Sequence, residues 1–353
     1  MGFSDYLDNK EDELLEAINA SEYEAVIVMA WERLQGRPID TDRKANQRGI
    51  SMKTYKNILN NPQTQSVGDK VALYIQKNRP SETGPARQLG SDKAGITAFW
   101  RNHGATNGTP KTDILIGTGA AALRISLKMG KSQLMSAKKE EASATFAAAA
   151  LAYKGVAAND IIREILKEYK NSPDADVTYD KLGVVKKNGD DPLVQANIDF
   201  QNEIEVLIEK AFEHEDFKME FAREAMSGFR KFGEKSMGAA EYMLVIGKGS
   251  NPKIQIHSVL DDDYVRKIAK KMTLQVNFKS TSERVKGIKT GRYQFYTATR
   301  LGIDPLGESV LVEGWLDAVA NKIKGLFGKM GLFKQLGVEP DISKITNDID
   351  FMV

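Results

Sequence analysis

The sequence predicts a mixed α/β and α+β protein: a helical N-terminal part, a central mixed sheet flanked by helices, and a small C-terminal antiparallel sheet followed by an amphipathic terminal helix. Three observations predict it. Apolar residues recur at helical spacing from Leu14 to Leu34 and in two shorter stretches before residue 79. The first segments that read as strands, 112–117 and 122–128, are joined by a glycine-containing turn and followed by a long Ala-rich helical stretch. Beyond residue 240, short β-type segments alternate with turn residues. At 353 residues and 41% apolar content, the chain can fill at least one sizeable core.

Taken in order, Leu14, Leu15, Ile18, Tyr23, Val26, Val28, Met29, Trp31 and Leu34 mark one or two helices, which Gly36 and Pro38 stop. Shorter helices are expected over 53–60 ("KTYKNILN") and 66–78 ("SVGDKVALYIQKN"), and the breaker-rich 79–91 reads as a loop. After the strands at 112–128, helices are expected from near Ser132 to residue 170. In the second half, helical periodicity over 196–226 gives way to the strands "EYMLVIG", "KIQIHSV", "TLQVNFKS" and "RYQFYTATRL", with one short helix from Asp263 to Lys271. The tail from Trp315 to Leu336 carries an apolar stripe with Lys opposite, which suits core or subunit contact and makes a homo-oligomer through this helix an expectation. By composition the regions are 1–92 (helical), 93–170 (hairpin core and helices), 171–195 (a linker rich in Asp, Asn, Gly and Pro) and 196–353 (α+β).

Fifty Lys and Arg against 48 Asp and Glu leave a net charge of +2. A total so close to zero is too small to argue for a nucleic-acid partner, so any such argument has to come from local clustering. The absence of cysteine excludes disulfides, thiol nucleophiles and Cys-type zinc sites, and fits a reducing host cytoplasm or a virion assembled there. The three histidines, His103, His214 and His257, form no H-x-x-x-H pattern, which excludes that class of zinc hydrolase. The acidic first 18 residues hold no apolar core of a signal peptide and no window of 18 apolar residues occurs, so neither export nor a membrane partner is expected.

The stretch "KTDILIGTGAAALRISLK" (111–128) carries the chemistry. Gly117-Thr118-Gly119 with Ala122 spells a dinucleotide-binding turn, but the second strand that such a turn needs is missing downstream, and this reading is kept as an alternative. Folded instead as a hairpin turning over Thr118–Ala121, Gly117 faces Ala122 and Asp113 faces Ser126. Because side chains alternate, Lys128 then shares that face. A carboxylate and an ammonium meet at the open end of the hairpin. Lys111, Lys128, Lys131, Lys138 and Lys139 add positive charge there.

This arrangement resembles the P-D-(D/E)-X-K nuclease superfamily, with an Asp near the end of one strand, a triplet ending in Lys on the next, and a helix after it. Ser126 replaces the acidic first member of the triplet, as in some restriction enzymes that bring the missing carboxylate from the following helix. The resemblance implies a restriction-endonuclease-like core and Mg²⁺- or Mn²⁺-dependent hydrolysis of DNA. Asp113, with Glu141 or Glu140, would hold the metal, Lys128 would position the attacking water, and Ser126 and Gln133 would stand beside the substrate. Such nucleases often add a Glu from the first helix, a place that Glu32 or Glu24 could fill. DNA contacts are expected from Lys111 and Lys131, from Arg230 and Lys231 among Phe229 and Phe232, and from Lys286, Lys289 and Arg292 around a later hairpin. The alternative of another class is a structural or assembly protein of a phage particle, in which the motif is degraded or coincidental.

Overall fold

The computed structural model describes residues 20–90, 92–173, 177–179, 191–247, 253–285 and 288–305. Helix α1 (Ala20–Leu34) is buried at every position from Tyr23 to Glu32, so it is a core helix and not an amphipathic one. Helices α2 (Asp42–Gln47), α3 (Met52–Leu59) and α4 (Pro62–Asn78) start where Thr41, Ser51 and Asn61 accept a first-turn N–H. α3 and α4 are the helices expected over 53–60 and 66–78. α4 presses on α1 at Gly68, where a Cβ would meet the Val26 carbonyl oxygen at 2.7 Å.

The loop expected over 79–91 contains strand β1 (Ala86–Gln88), a correction. Three residues between breakers show no period, and only their partner makes them a strand. That partner is β2 (Ile114–Ile116), reached after the short helix α5 (Ala98–Asn102). β2 pairs antiparallel with β3 (Leu123–Met129), with Ile114 opposite Ile125 and Ile116 opposite Leu123. Extended by one pair, this register sets Asp113 opposite Ser126, as the hairpin reading requires. Gly117 opens the turn at φ +91°, a left-handed conformation that favours glycine. The dinucleotide alternative falls here, because the chain leaves the glycines through a short 3₁₀ turn into an antiparallel strand and never into a helix.

After Gly130 and Lys131 the chain forms strand β4 (Ser132–Ala137), where a helix from Ser132 was expected. β4 pairs with a strand at the far end of the chain, a partner that local sequence cannot disclose. Helix α6 (Lys139–Ala152) begins seven residues late, which leaves Gln133 on a strand. Next come α7 (Asn159–Asn171), β5 (Val177–Tyr179), α8 (Pro192–Phe212), α9 (Glu215–Ser227) and α10 (Phe229–Phe232). β6 (Tyr242–Ile246), β7 (Ile254–Ser258), α11 (Asp262–Lys271), β8 (Thr273–Val285) and β9 (Ile288–Ile303) complete the described chain.

The nine strands among the described residues make two sheets. The central one runs β1-β2-β3-β6-β7 and is mixed, because β6 lies parallel to β3 while the other pairs are antiparallel. In the second sheet β9 pairs antiparallel with β4, β5 and β8. The α+β class with a mixed central sheet flanked by helices is therefore what the chain adopts. The expectation of one antiparallel sheet built from all the late strands is corrected, since β6 and β7 join the central sheet by a helical crossover, as parallel pairing demands.

One apolar core lies between α1, α4 and one face of the central sheet, with Trp31, Val71, Ile114, Ile125 and Leu244 in contact. A second joins Met243 on that sheet to Phe146, Phe217 and Phe221 on helices and to Leu301 on β9. The terminal helix expected over Trp315–Leu336 lies outside the described residues, as do 174–176 and 180–190 of the linker. No helix among the described residues is long and apolar enough to cross a membrane.

Candidate active site

The hairpin mouth is held by its own hydrogen bonds. Asp113 Oδ2 accepts the Leu127 N–H at 2.7 Å and the Ser126 hydroxyl at 3.2 Å, and Lys128 Nζ donates to Ser126 Oγ at 3.0 Å. Ser126 thus sits as a link between the carboxylate and the ammonium, in the place where a second acid was expected. Burial raises the Asp113 carboxyl above its ordinary range, against the pull of Lys128 and of the two hydrogen bonds.

A second carboxylate comes from α1. Glu24 accepts from the Gln88 side chain at 2.8 Å, and Gln88 also donates to Ser21. Burial, with the Asp113 charge adding to it, pushes Glu24 up to about 7, while Gln88 and Lys128 pull the other way. Two neighbouring carboxylates raised in this manner, with an ammonium beside them, are a signature of sites where charge is kept ready for a ligand.

Behind the mouth lies a further group of buried charges. Lys231, 2% exposed, forms an ion pair with Glu141, which also accepts from Asn107 at 3.2 Å. Burial alone would raise Glu141, yet Lys231, Lys111 and Asn107 together hold it below the usual range. Lys111 donates to the Leu134 carbonyl at 3.1 Å, and burial with the adjacent Lys231 lowers it to about 8. Glu224 receives the N–H groups of Arg230 and Lys231, and burial pushes it to about 7. Breaking one side of a buried pair leaves an uncompensated charge. Lys231→Ala is therefore expected to cost about 3 kcal/mol of unfolding free energy in chemical denaturation, with Glu141→Ala/Lys231→Ala costing less than the sum of the two single changes.

Of the residues expected from sequence, the fold brings Glu24, Asp113, Ser126 and Lys128 together. Glu32 is not among them. It lies buried, paired with Arg37 and Arg48 and accepting the Ala86 N–H at 2.8 Å. Of the two acids expected from the first helix, Glu24 faces Gln88, beside the mouth, and Glu32 faces Ala86. Glu141 and Glu140 sit on the first turn of α6, Glu141 turned to Lys231 and Glu140 beside Gly104. Gln133 lies on β4 opposite Gly302. Lys131 is exposed in the turn after β3, Arg230 is exposed, Lys289 and Arg292 are exposed on β9, and Lys286 lies outside the described residues. Sequence reasoning missed Gln88, which is buried at the end of a three-residue strand that carries no period of its own.

Among the described residues no three of Asp, Glu, His or Cys converge to hold a metal ion. A closed protein cage is thus not formed. Glu24 and Asp113 do suit Mg²⁺ or Mn²⁺ of the kind that takes one or two carboxylates and completes its shell with water and substrate phosphate.

No protein-family model and no curated protein matches this chain. The solved structure of the restriction endonuclease MspI in complex with its cognate DNA is similar over 69% of this chain and 82% of that one, at 12% identity and a TM-score of 0.31. At that TM-score the likeness bears on neither fold nor function.

Proposed function

We propose that the chain is a divalent-metal-dependent nuclease that hydrolyses phosphodiester bonds of DNA at the hairpin mouth. The observation that carries this reading is the meeting of Glu24 and Asp113, both raised by burial, with the Ser126-linked ammonium of Lys128. Glu24 and Asp113 would hold Mg²⁺ or Mn²⁺, which when bound supplies Lewis-acid polarisation of the phosphate and a more acidic water. Lys128 offsets negative charge on the phosphate and orients the attacking water, and Ser126 fixes its ammonium relative to Asp113. The Leu127 N–H keeps one oxygen of Asp113 occupied, so that the other is aimed at the ligand. Glu141 and Lys231 serve as a neutral buried brace under this mouth.

The test is incubation of the full chain with duplex DNA and Mg²⁺ or Mn²⁺, with chelator as control. Cleavage that chelator abolishes supports the reading. Intact duplex DNA, single-stranded DNA and RNA with both metals would overturn it.

A further inference from the structure

The second sheet has two unlike faces. Val276, Phe295, Leu301 and Met135 point into the apolar cores, and Ser136, Lys279, Tyr296 and Arg300 occupy alternate positions on the other face. Across it Ser136 of β4 lies opposite Arg300 of β9, and Lys279 of β8 lies opposite Tyr296. Lys279 Nζ reaches over β9 to donate to Ser136 Oγ at 2.8 Å, and Lys138 places its ammonium 4.3 Å from the centre of the Tyr296 ring. No Asp or Glu occurs in 132–137, 273–281 or 288–303. Arg300 Nε is buried with no hydrogen-bond partner among the described residues, a donor left for an anion.

A short stretch of chain joins this sheet to the hairpin. β3 ends one residue after Lys128, and β4 begins three residues later, after Gly130 and Lys131. The charges of Arg300 and Glu141 both act on Lys279. From β4 across β9 to β8 the face is roughly 10 Å wide at the usual strand spacing, comparable with the ~12 Å width of a major groove.

We infer that Lys138, Lys279, Tyr296 and Arg300 form a docking face for the sugar-phosphate backbone of duplex DNA, leading to the Glu24, Asp113 and Lys128 centre. The inference rests on reading that centre as a nuclease. Lys279 and Arg300 contact phosphates, and Tyr296 with Lys138 packs against the sugar edge. These contacts position the strand without reading its sequence. The width and the even spread of cations favour a duplex over one extended strand.

The experiment is anisotropy of labelled mixed-sequence duplex DNA with the full chain in chelator, where nothing is cut, as salt is raised between roughly 50 and 200 mM. Lys279→Ala/Arg300→Ala is expected to weaken binding at every salt concentration and to reduce the slope of log affinity against log salt by about two, one per lost phosphate contact. Lys279→Gln/Arg300→Gln should do the same with an unchanged melting temperature, and Lys53→Ala/Lys267→Ala, which removes equal charge elsewhere, should change little. An unchanged slope, an equal loss in the control pair, or a loss confined to single-stranded RNA overturns the docking face. A parent that binds with this slope but cuts nothing removes the nuclease reading and leaves the face standing. One that cuts, with both paired variants binding and cutting like it, removes the face alone.

Discussion

Lys128→Ala is expected to lower Mg²⁺-dependent cleavage of duplex DNA by a factor on the order of 10³. Its melting temperature should stay within a few degrees of the parent's. The ammonium is half-buried at the end of β3 and donates to Ser126 Oγ, and the Asp113 carboxyl that loses its pull is already raised by burial, so it can take up a proton in place of the lost counter-charge. Asp113→Asn should lose as much activity for a different reason. The amide keeps an oxygen for the Leu127 N–H but carries no charge for a cation. Ser126→Ala separates the two roles, since Ser126 positions the lysine. It is expected to lower kcat with KM little changed, and by less than Lys128→Ala does. Cleavage at the parent rate by both Lys128→Ala and Asp113→Asn would show that the hydrolysis happens elsewhere.

The second large effect is on stability, and it reads metal binding without any cleavage. Glu24 is raised from an ordinary value near 4.5 to about 7 in the folded chain. Between these values the folded state binds more protons than the unfolded state, so stability falls as pH rises through that window. Above pH 7 the ionised, buried Glu24 costs on the order of 3 kcal/mol. Glu24→Gln, which can still accept from Gln88, is therefore expected to raise the melting temperature by several degrees at pH 8.5 and to leave it nearly unchanged at pH 5. Mg²⁺ should raise the melting temperature of the parent at pH 8.5, by mass action on the folded state, and should lose most of that effect in Glu24→Gln and in Asp113→Asn. A Glu24→Gln variant that is equally destabilised at both pH values, or a parent that Mg²⁺ does not shift, would remove Glu24 from the metal site.

Where the sequence succeeded, the determining contacts were local. The register of β2 on β3 depends on a turn of four residues, and a turn that short ties each residue to one partner. Hence Asp113, Ser126 and Lys128 were legible as a group before any tertiary contact was known. The late strands were legible as strands for the same reason, from alternation within each segment. Their partners were not. A period of two says which residues share a face but not which strand lies alongside, so β6 looked like a neighbour of β8 when it pairs with β3.

The carboxylates show the same division. Glu24 and Glu32 are both buried acids on α1, eight residues apart and so about 12 Å along the helix axis. Helical periodicity treats them alike. What separates them is how α1 lies across β1, which sets Glu24 against Gln88 and Glu32 against Ala86, two residues along that strand. Glu141 stood at a plausible distance after Lys128, but that distance assumed a helix from Ser132. Once β4 takes those six residues for pairing with β9, α6 starts later and turns Glu141 to Lys231.

By itself, then, the sequence determined the hairpin, its register, and the Asp113, Ser126 and Lys128 set, because these follow from short-range geometry and side-chain alternation. Only the tertiary structure decided that Glu24, and not Glu32, lies beside Asp113, that Glu141 pairs with Lys231, and that Lys279 and Arg300 share one face. Each of these depends on elements far apart in the chain being packed in one particular register, and the free energy that selects that register is spread over two apolar cores and written in no single motif.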